Sequence, residues 1–334
     1  MSHLRQNGFI YALLAVLGLA ILMPGPGLPG GPLAPELTTR IAVFLIFLMQ
    51  GLGLASDQLT RGFLQWRLHV FVQGWNFLGA VAVIGGLAWL FSGLLPRDLF
   101  AGLLYLAVLP TTVSSAVAFT TIARGEVSGA IFNGALSQFI GVIVTPLWTV
   151  FLLAGGGEGA GGDLAATFQK LFVLIILPLL LGQAIRPFAA AGIKRIKPVF
   201  KPATSGMILF IVYCAFAQSV ERGIWQSTGL GTVALTLGVV LLAVVAMHGT
   251  VWVTAGWARF DRPTRIAALM TGSQKTLAAG VPMATAVFAS ATIAAQGYDL
   301  GLALLPLLAY HPMQLVFGAW LAPRLAKGVE DGEA

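Results

Sequence analysis

Charge is what this chain has least of. Asp, Glu, Lys and Arg make up 9% of its 334 residues, where a soluble globular protein has about 25%. Hydrophobic residues make up 57%. A chain this apolar has too few polar groups to cover itself in water, so the composition specifies an integral membrane protein. Cysteine is nearly missing as well, with Cys214 the only one. That excludes an internal disulfide and a cysteine-based metal cluster. In a membrane segment Cys214 reads as a small packing residue.

Acidic groups are scarcest where they would carry most chemistry. Asp57, Asp98, Glu126, Asp261 and Asp299 fall in loops or at interfaces, and none lies deep in an apolar segment. A sodium/proton antiporter of the paired-aspartate kind is therefore not expected. Neither is a high-affinity calcium site, which needs several carboxylate oxygens. There is no His/Glu metal pair at helical spacing, no phosphate loop and no Ser-His-Asp set that the sequence can place together. The reading is a non-enzyme without a resident cofactor. The formal charge of +7 does not read as a nucleic-acid footprint, because the basic residues do not cluster on one amphipathic element. They lie between apolar segments, which is a topology signal.

A membrane-spanning helix needs about 20 mostly apolar residues. By that rule the sequence predicts ten spans: Gly8 to Met23, Thr38 to Ser56, Leu68 to Phe91, Leu99 to Ala123, Val127 to Ala154, Ala166 to Ile185, Ala203 to Ser219, Gly231 to Trp257, Thr264 to Ser290 and Leu300 to Leu325. Arg5 and the first apolar stretch could be read as a signal peptide. The expected cleavage site is replaced by Met23-Pro24-Gly25-Pro26-Gly27, so the first span is expected to be retained.

Loop charge tests this count. Arg5, Arg61, Arg67, Arg124, Arg186, Lys194, Arg195, Lys197, Lys201, Arg259, Arg262, Arg265, Arg324 and Lys327 all fall on one side of a ten-span path. Arg97 and Arg222 fall on the other, and Arg40 and Lys170 stand at the interfacial starts of spans two and six. The Gly155 to Gly162 loop has no Lys or Arg. The bias predicts a multi-pass protein of the inner (plasma) membrane with both termini cytoplasmic.

Spans one to five (residues 1–160) and six to ten (161–334) form two halves. Five is odd, so the second half enters the membrane from the opposite side, the arithmetic of an inverted repeat. Spans four and nine are then equivalent, and each is interrupted by a polar run: Pro110 to Ser115 in one, Thr271 to Thr276 in the other. Two broken helices at matching positions are the best sequence pointer to a transport site. Their freed carbonyls can coordinate a cation, and half-helix N-termini can face an anion.

Lys275 sits in the second interruption. Charge at that depth is costly and marks a functional-site hypothesis. It could attract an anionic substrate, act as a built-in cation or carry a proton; the plainer alternative is a structural lysine paired with the C-terminal carbonyls of the broken fourth span. Gln73 and Asn76 share a face of the third span, as Asn133 and Ser137 do in the fifth, with Gln138 on or beside that face. Amides and hydroxyls also act as interhelical glue. The case for a site is collective, since these groups concentrate in spans three, four, five and nine. His311-Pro312 with Gln314 lies midway in the tenth span. There His311 reads first as a helix-bending hydrogen bonder and second as a substrate contact, and His248 reads similarly.

Several stretches resemble the bile acid:sodium symporter family, and more closely its divergent SBF-like branch. They are Leu109 to Phe119, Ala123 to Val127, Ser273-Gln274-Lys275-Thr276-Leu277-Ala278 with Gly280-Val281-Pro282, and Leu305 to Pro312. The resemblance covers essentially the whole chain. It implies a core of spans three to five and eight to ten, a panel of spans one, two, six and seven, and substrate bound between them. It also implies transport of organic anions, bile acids or other carboxylates, with sodium.

The family's sodium ligands carry over in part. Gln73 and Gln274 match the second sodium site. At the first, Ser115 and Ser137 fit, but Ala116 replaces an asparagine, Met270 a glutamate and Lys275 a second asparagine. An ammonium a few ångströms from sodium repels it by roughly 4 kcal/mol at 4 Å and an effective dielectric near 20. Lys275 is thus expected to occupy the first site as a tethered cation, leaving at most one sodium. The expected cation ligands are Gln73, Gln274, Ser115, Ser137, Gln138 and Ser273. The expected substrate contacts are Thr111, Thr112, Ser114, Asn76, Asn133, Lys275, Thr276, His311 and Gln314. The function read from the sequence is alternating-access transport of a small organic anion, sodium-coupled. The alternatives are a proton-coupled or uncoupled carrier, or a non-transporting membrane regulator. The expected partners are the anion, sodium and the lipid bilayer, with no nucleic acid and no obligate protein partner.

Overall fold

The computed structural model describes residues 2–53, 65–154 and 169–330. The described residues are helical throughout, with no strand among them. Helix α1 runs Ser2–Leu22 and α2 Pro35–Gly53. Then come α3 (Trp66–Leu90), α4 (Arg97–Ala107), α5 (Ser114–Ile122) and α6 (Val127–Ala154). The second half holds α7 (Gln169–Ala189), α8 (Arg195–Glu221), α9 (Ile224–Trp257), α10 (Arg262–Ser273), α11 (Leu277–Phe288) and α12 (Leu300–Glu330). Seven of these, α2, α3, α6, α7, α8, α9 and α12, are long and apolar enough to cross a membrane alone; the apolar part of α1, Gly8–Leu22, is shorter. The expected ends at Ser56 and Ala166, Arg61 and the Gly155 to Gly162 loop lie outside the described residues.

The fourth and ninth predicted spans are each two half-helices. The first break, at residues 108–113, surrounds Pro110, which has no N–H to donate and disfavours helix in the residue before it. The second is shorter than the polar run suggested. Thr271 and Ser273 stay in α10 because their hydroxyls turn back onto the carbonyls of Ala267 and Leu269, each at 2.6 Å, the usual way such residues are held mid-helix. Only Gln274, Lys275 and Thr276 leave the helix, with extended backbone at Gln274 (φ −88, ψ 151) and Thr276 (φ −82, ψ 129). Likewise Ser114 and Ser115 lie inside α5 rather than in the break.

Other boundaries move as well. The stretch expected as a loop between spans six and seven is largely helical, bent at Ala189 (φ −114, ψ 16), so α8 starts at Arg195 and carries Lys197 and Lys201 on its first turns. Helix α3 contains two wide, π-type turns, Trp75–Gly79 and Val81–Gly85, a distortion frequent at functional sites.

Close approach of backbones fixes the packing of α2 on α7. A Cβ added at Gly51 would sit 2.2 Å from the Leu179 carbonyl oxygen, and one at Gly182 would sit 2.4 Å from that of Leu48. Two glycines facing each other admit this contact and no larger pair does, the small-residue packing common between membrane helices. Helix α1 packs on the α7–α8 segment, while α4 packs along α12 and α10 along α9 and α5. The two breaks therefore meet inside a group formed by α3 to α6 and α9 to α12.

Candidate functional site

Buried irregular backbone must find partners inside the protein, since lipid offers none. The two breaks satisfy each other and draw on their neighbours. The Thr276 N–H donates to the Pro110 carbonyl at 3.0 Å, so the two crossing segments are hydrogen-bonded directly. Thr111 is held on both sides by α6: its N–H donates to Ser137 Oγ at 3.1 Å, and its carbonyl accepts from Gln138 Nε2. Thr145 Oγ1 donates to the Val108 carbonyl at 2.7 Å. Helix α12 supplies Gln314, whose Oε1 accepts the Lys275 N–H and whose Nε2 donates to the Lys275 carbonyl, both at 2.7 Å. The same amide nitrogen lies 3.0 Å from His311 Nδ1. Tyr310 OH donates to the Ser273 carbonyl at 2.7 Å and Tyr105 OH to that of Gly280 at 2.6 Å. Thr276 caps α11 through Oγ1, which accepts from Ala279 N at 3.5 Å.

Lys275 is the charged centre of this arrangement and is fully buried. An ammonium has three N–H donors, and here each meets a backbone carbonyl: Asn76 at 2.9 Å, Ala107 at 3.0 Å and Leu109 at 2.7 Å. Ala107 ends α4 and Leu109 lies just beyond it, so the charge also faces the negative end of a helix dipole. Asn76 lies in the first wide turn of α3. Among the described residues no carboxylate lies within ion-pair distance of Lys275. Ala107 and Leu109 are the carbonyls at the end of the broken fourth span that the plainer, structural reading named, while Ser115 and Ser137, the hydroxyls expected at the first sodium site, bond to other groups and not to the ammonium.

Around the cage two side-chain pairs link α3 to α6. Asn76 Nδ2 donates to Ser137 Oγ at 3.2 Å. Gln73 Nε2 lies 3.3 Å from both the backbone oxygen and Oδ1 of Asn133, and Asn133 Nδ2 donates to Gly129 in its own helix. On the far side Ser115 Oγ donates to Gln274 Oε1 at 2.6 Å. Several buried polar atoms of this set have no protein partner: Gln73 Oε1, Asn76 Oδ1, Thr111 Oγ1 and Gln274 Nε2. Such orphans are costly unless something else meets them. The oxygens at Gln73, Asn76 and Thr111 suit a cation or water. A half-turn of the Gln274 amide would present its oxygen where Nε2 now lies, and oxygen and nitrogen of an amide are assigned from the network around them.

The sequence-predicted residues thus fall into three sets. Asn76, Thr111, Ser137, Gln138, Lys275, Thr276 and Gln314 are joined by hydrogen bonds around the crossover, with His311 against Gln314 and the pairs Gln73–Asn133 and Ser115–Gln274 at its edge. Thr112 is buried in the first break. Ser273 directs its hydroxyl to Leu269, and Ser114 is exposed, so neither hydroxyl points into this network. His248 also stays within its own helix, with Nδ1 2.8 Å from the Val244 carbonyl. Sequence reasoning passed over Tyr105, Tyr310 and Thr145. A buried tyrosine hydroxyl needs a partner, and Tyr310 directly before His311-Pro312 was a usable signal.

The profile of the SBF-like CPA transporter family matches residues 7–327. Sodium/bile acid cotransporter 7 of Rattus norvegicus is 32% identical over 333 residues, covering 97% of this chain and 94% of the relative. Sodium/bile acid cotransporter 7-A of Xenopus laevis is 32% identical over 336 residues, covering 97% and 93%. An uncharacterized protein of Pseudomonas aeruginosa, PA2026, is 33% identical over 329 residues, covering 98% and 95%.

Proposed function

We propose, from the premise that the chain belongs to the SBF-like CPA transporter family, that it carries a small organic anion across the inner (plasma) membrane by alternating access. Family and relatives make it a multi-pass membrane transporter and not an enzyme. The finer reading assigns α1, α2, α7 and α8 to a panel that moves against a core of α3 to α6 and α9 to α12. The two halves are related as an inverted repeat of ten spans, and both termini are cytoplasmic.

The observation that carries the coupling is the Lys275 ammonium on three backbone carbonyls. A cation supplied by the chain fills the place of one transported ion. It leaves room for at most one sodium, held by Gln73 and Gln274 with Ser115 beside them. The anion is attracted toward the half-helix N-terminus at Thr276 and the amides of α3 and α6.

Uptake of labelled taurocholate into proteoliposomes tests this reading. A sodium gradient should accelerate uptake with a Hill slope near one. A slope near two would contradict the tethered-cation account. Uptake indifferent to sodium, with exchange intact, would favour the uncoupled or proton-coupled alternative, and no exchange of any anion would favour a regulator that keeps the fold.

A further inference from the structure

A second polar feature lies away from the crossover. Between α2 and α7 on one side and α11 on the other is a cleft of about 180 Å³. Its floor is apolar, with Val43, Leu174 and Ala286. Its walls bring together Arg40 and Lys170 with Thr39, Gln218 and Thr285, and Glu36 also reaches it. Single cations at a membrane interface commonly extend toward water and need no further account. Here two cations from different helices converge on one cavity that also holds the Gln218 amide, while the Thr39 and Thr285 hydroxyls donate to the Pro35 and Val281 carbonyls of their own helices. The Arg40 guanidinium has no hydrogen-bond or ion-pair partner among the described residues. Lys170 Nζ donates to the Ala289 carbonyl at 2.9 Å, just past the end of α11, which leaves two of its N–H groups for a ligand. Glu36 stands one turn from Arg40 on the same face, and two cations against one carboxylate leave the cleft net positive.

We propose that this cleft binds the carboxylate or sulfonate head of a small organic monoanion, with Arg40 and Lys170 as its charge partners. Arg40 offers a planar fork of donors and Lys170 a point charge, a combination suited to an oxyanion. The volume limits the occupant to a head group and a few carbon atoms, since sites for drug-sized ligands run to about 300–1,000 Å³. The proposal rests on the transporter reading for its purpose. The cleft lies on the seam between the proposed panel and core, on the side that the loop charges place outside, so an anion bound there stands at the entrance.

Chemical modification tests the site without relying on transport. Thr285→Cys in a Cys214→Ser background, reconstituted in nanodiscs, is reacted with a sulfonate methanethiosulfonate and with a quaternary-ammonium one of similar size. Relative to a free thiol, the anionic reagent should be favoured by about tenfold. Arg40→Gln and Lys170→Gln should each lower that preference and Arg40→Lys should retain it. Benzoate should slow modification in the parent and not in Arg40→Gln. A preference equal to that of free thiol, or one that survives both neutralisations, overturns the site. Exchange of labelled benzoate in proteoliposomes separates the two readings: exchange with no charge preference leaves transport standing and removes the site, while a charge-selective, benzoate-protected cleft without exchange does the reverse.

Discussion

Gln314 holds Lys275 by its backbone at both ends: the amide oxygen accepts the Lys275 N–H and the amide nitrogen donates to the Lys275 carbonyl, each at 2.7 Å. One side chain on α12 therefore replaces the two helical hydrogen bonds that Lys275 itself loses at the break. It also sets where the lysine side chain starts, and so where its ammonium ends, against Asn76, Ala107 and Leu109.

Gln314→Ala should leave a buried N–H and a buried carbonyl without partners. Each orphan costs about 1–3 kcal/mol. Thermal unfolding in nanodiscs should show a larger loss than His311→Ala, because Gln314 serves both backbone groups of Lys275, while His311 meets the Gln314 amide and a single backbone group of Lys275. Equal losses would place the support of the crossover elsewhere.

Tyr310→Phe removes only a hydroxyl, yet it strands the Ser273 carbonyl at the end of α10, whereas Gly280, inside α11, keeps its helical partner when Tyr105→Phe removes the second donor to its carbonyl. Tyr310→Phe should cost about 1–3 kcal/mol in the same measurement, and Tyr105→Phe less. The double variant should cost nearly the sum, as the two hydroxyls serve different half-helices.

Gly51→Val and Gly182→Val should separate α2 from α7. Even a Cβ at Gly51 would lie 2.2 Å from backbone oxygen, and backbone cannot rotate away as a side chain can. Size-exclusion profiles should show lost or aggregated protein for either valine. Gly74→Ala, where an added Cβ meets nothing within 4 Å, should remain monodisperse.

Ser115→Ala should free Gln274 Oε1 from its 2.6 Å donor. If that oxygen serves a sodium ion, the variant retains a sodium response and shifts its affinity, while Gln274→Ala abolishes the response. Sodium titrations of thermal stability distinguish these outcomes, because a ligand of the folded state raises its stability by mass action.

The two broken helices were legible in the sequence because polar runs cannot continue a lipid-facing helix. The limits of the breaks were not. Thr271 and Ser273 stay helical with hydroxyls that find the carbonyl one turn back, Ser115 stays helical while its hydroxyl reaches Gln274, and composition distinguishes neither from a break. The depth of Lys275 was legible, but its three partners were not, since backbone carbonyls carry no residue identity. Asn76 was noted for its amide, and what reaches Lys275 is its main-chain oxygen. Tyr105 and Tyr310 were hidden for a related reason: in an apolar run a tyrosine looks like one more packing residue until its hydroxyl has an address. The Arg40 and Lys170 pair looked like interfacial anchors because they stand 130 residues apart and meet only through the packing of α2 and α7 against α11.

The most direct test of the tethered cation is the melting temperature of purified wild type, Lys275→Ala and Gln274→Ala in sodium chloride against choline chloride. The account predicts that Lys275→Ala, left with three carbonyls and no ammonium, gains a sodium stabilisation beyond that of wild type. It also predicts that any wild-type response vanishes in Gln274→Ala. A well-folded Lys275→Ala whose sodium response is no greater than that of wild type would contradict it, and would make the lysine a structural strut at the crossover.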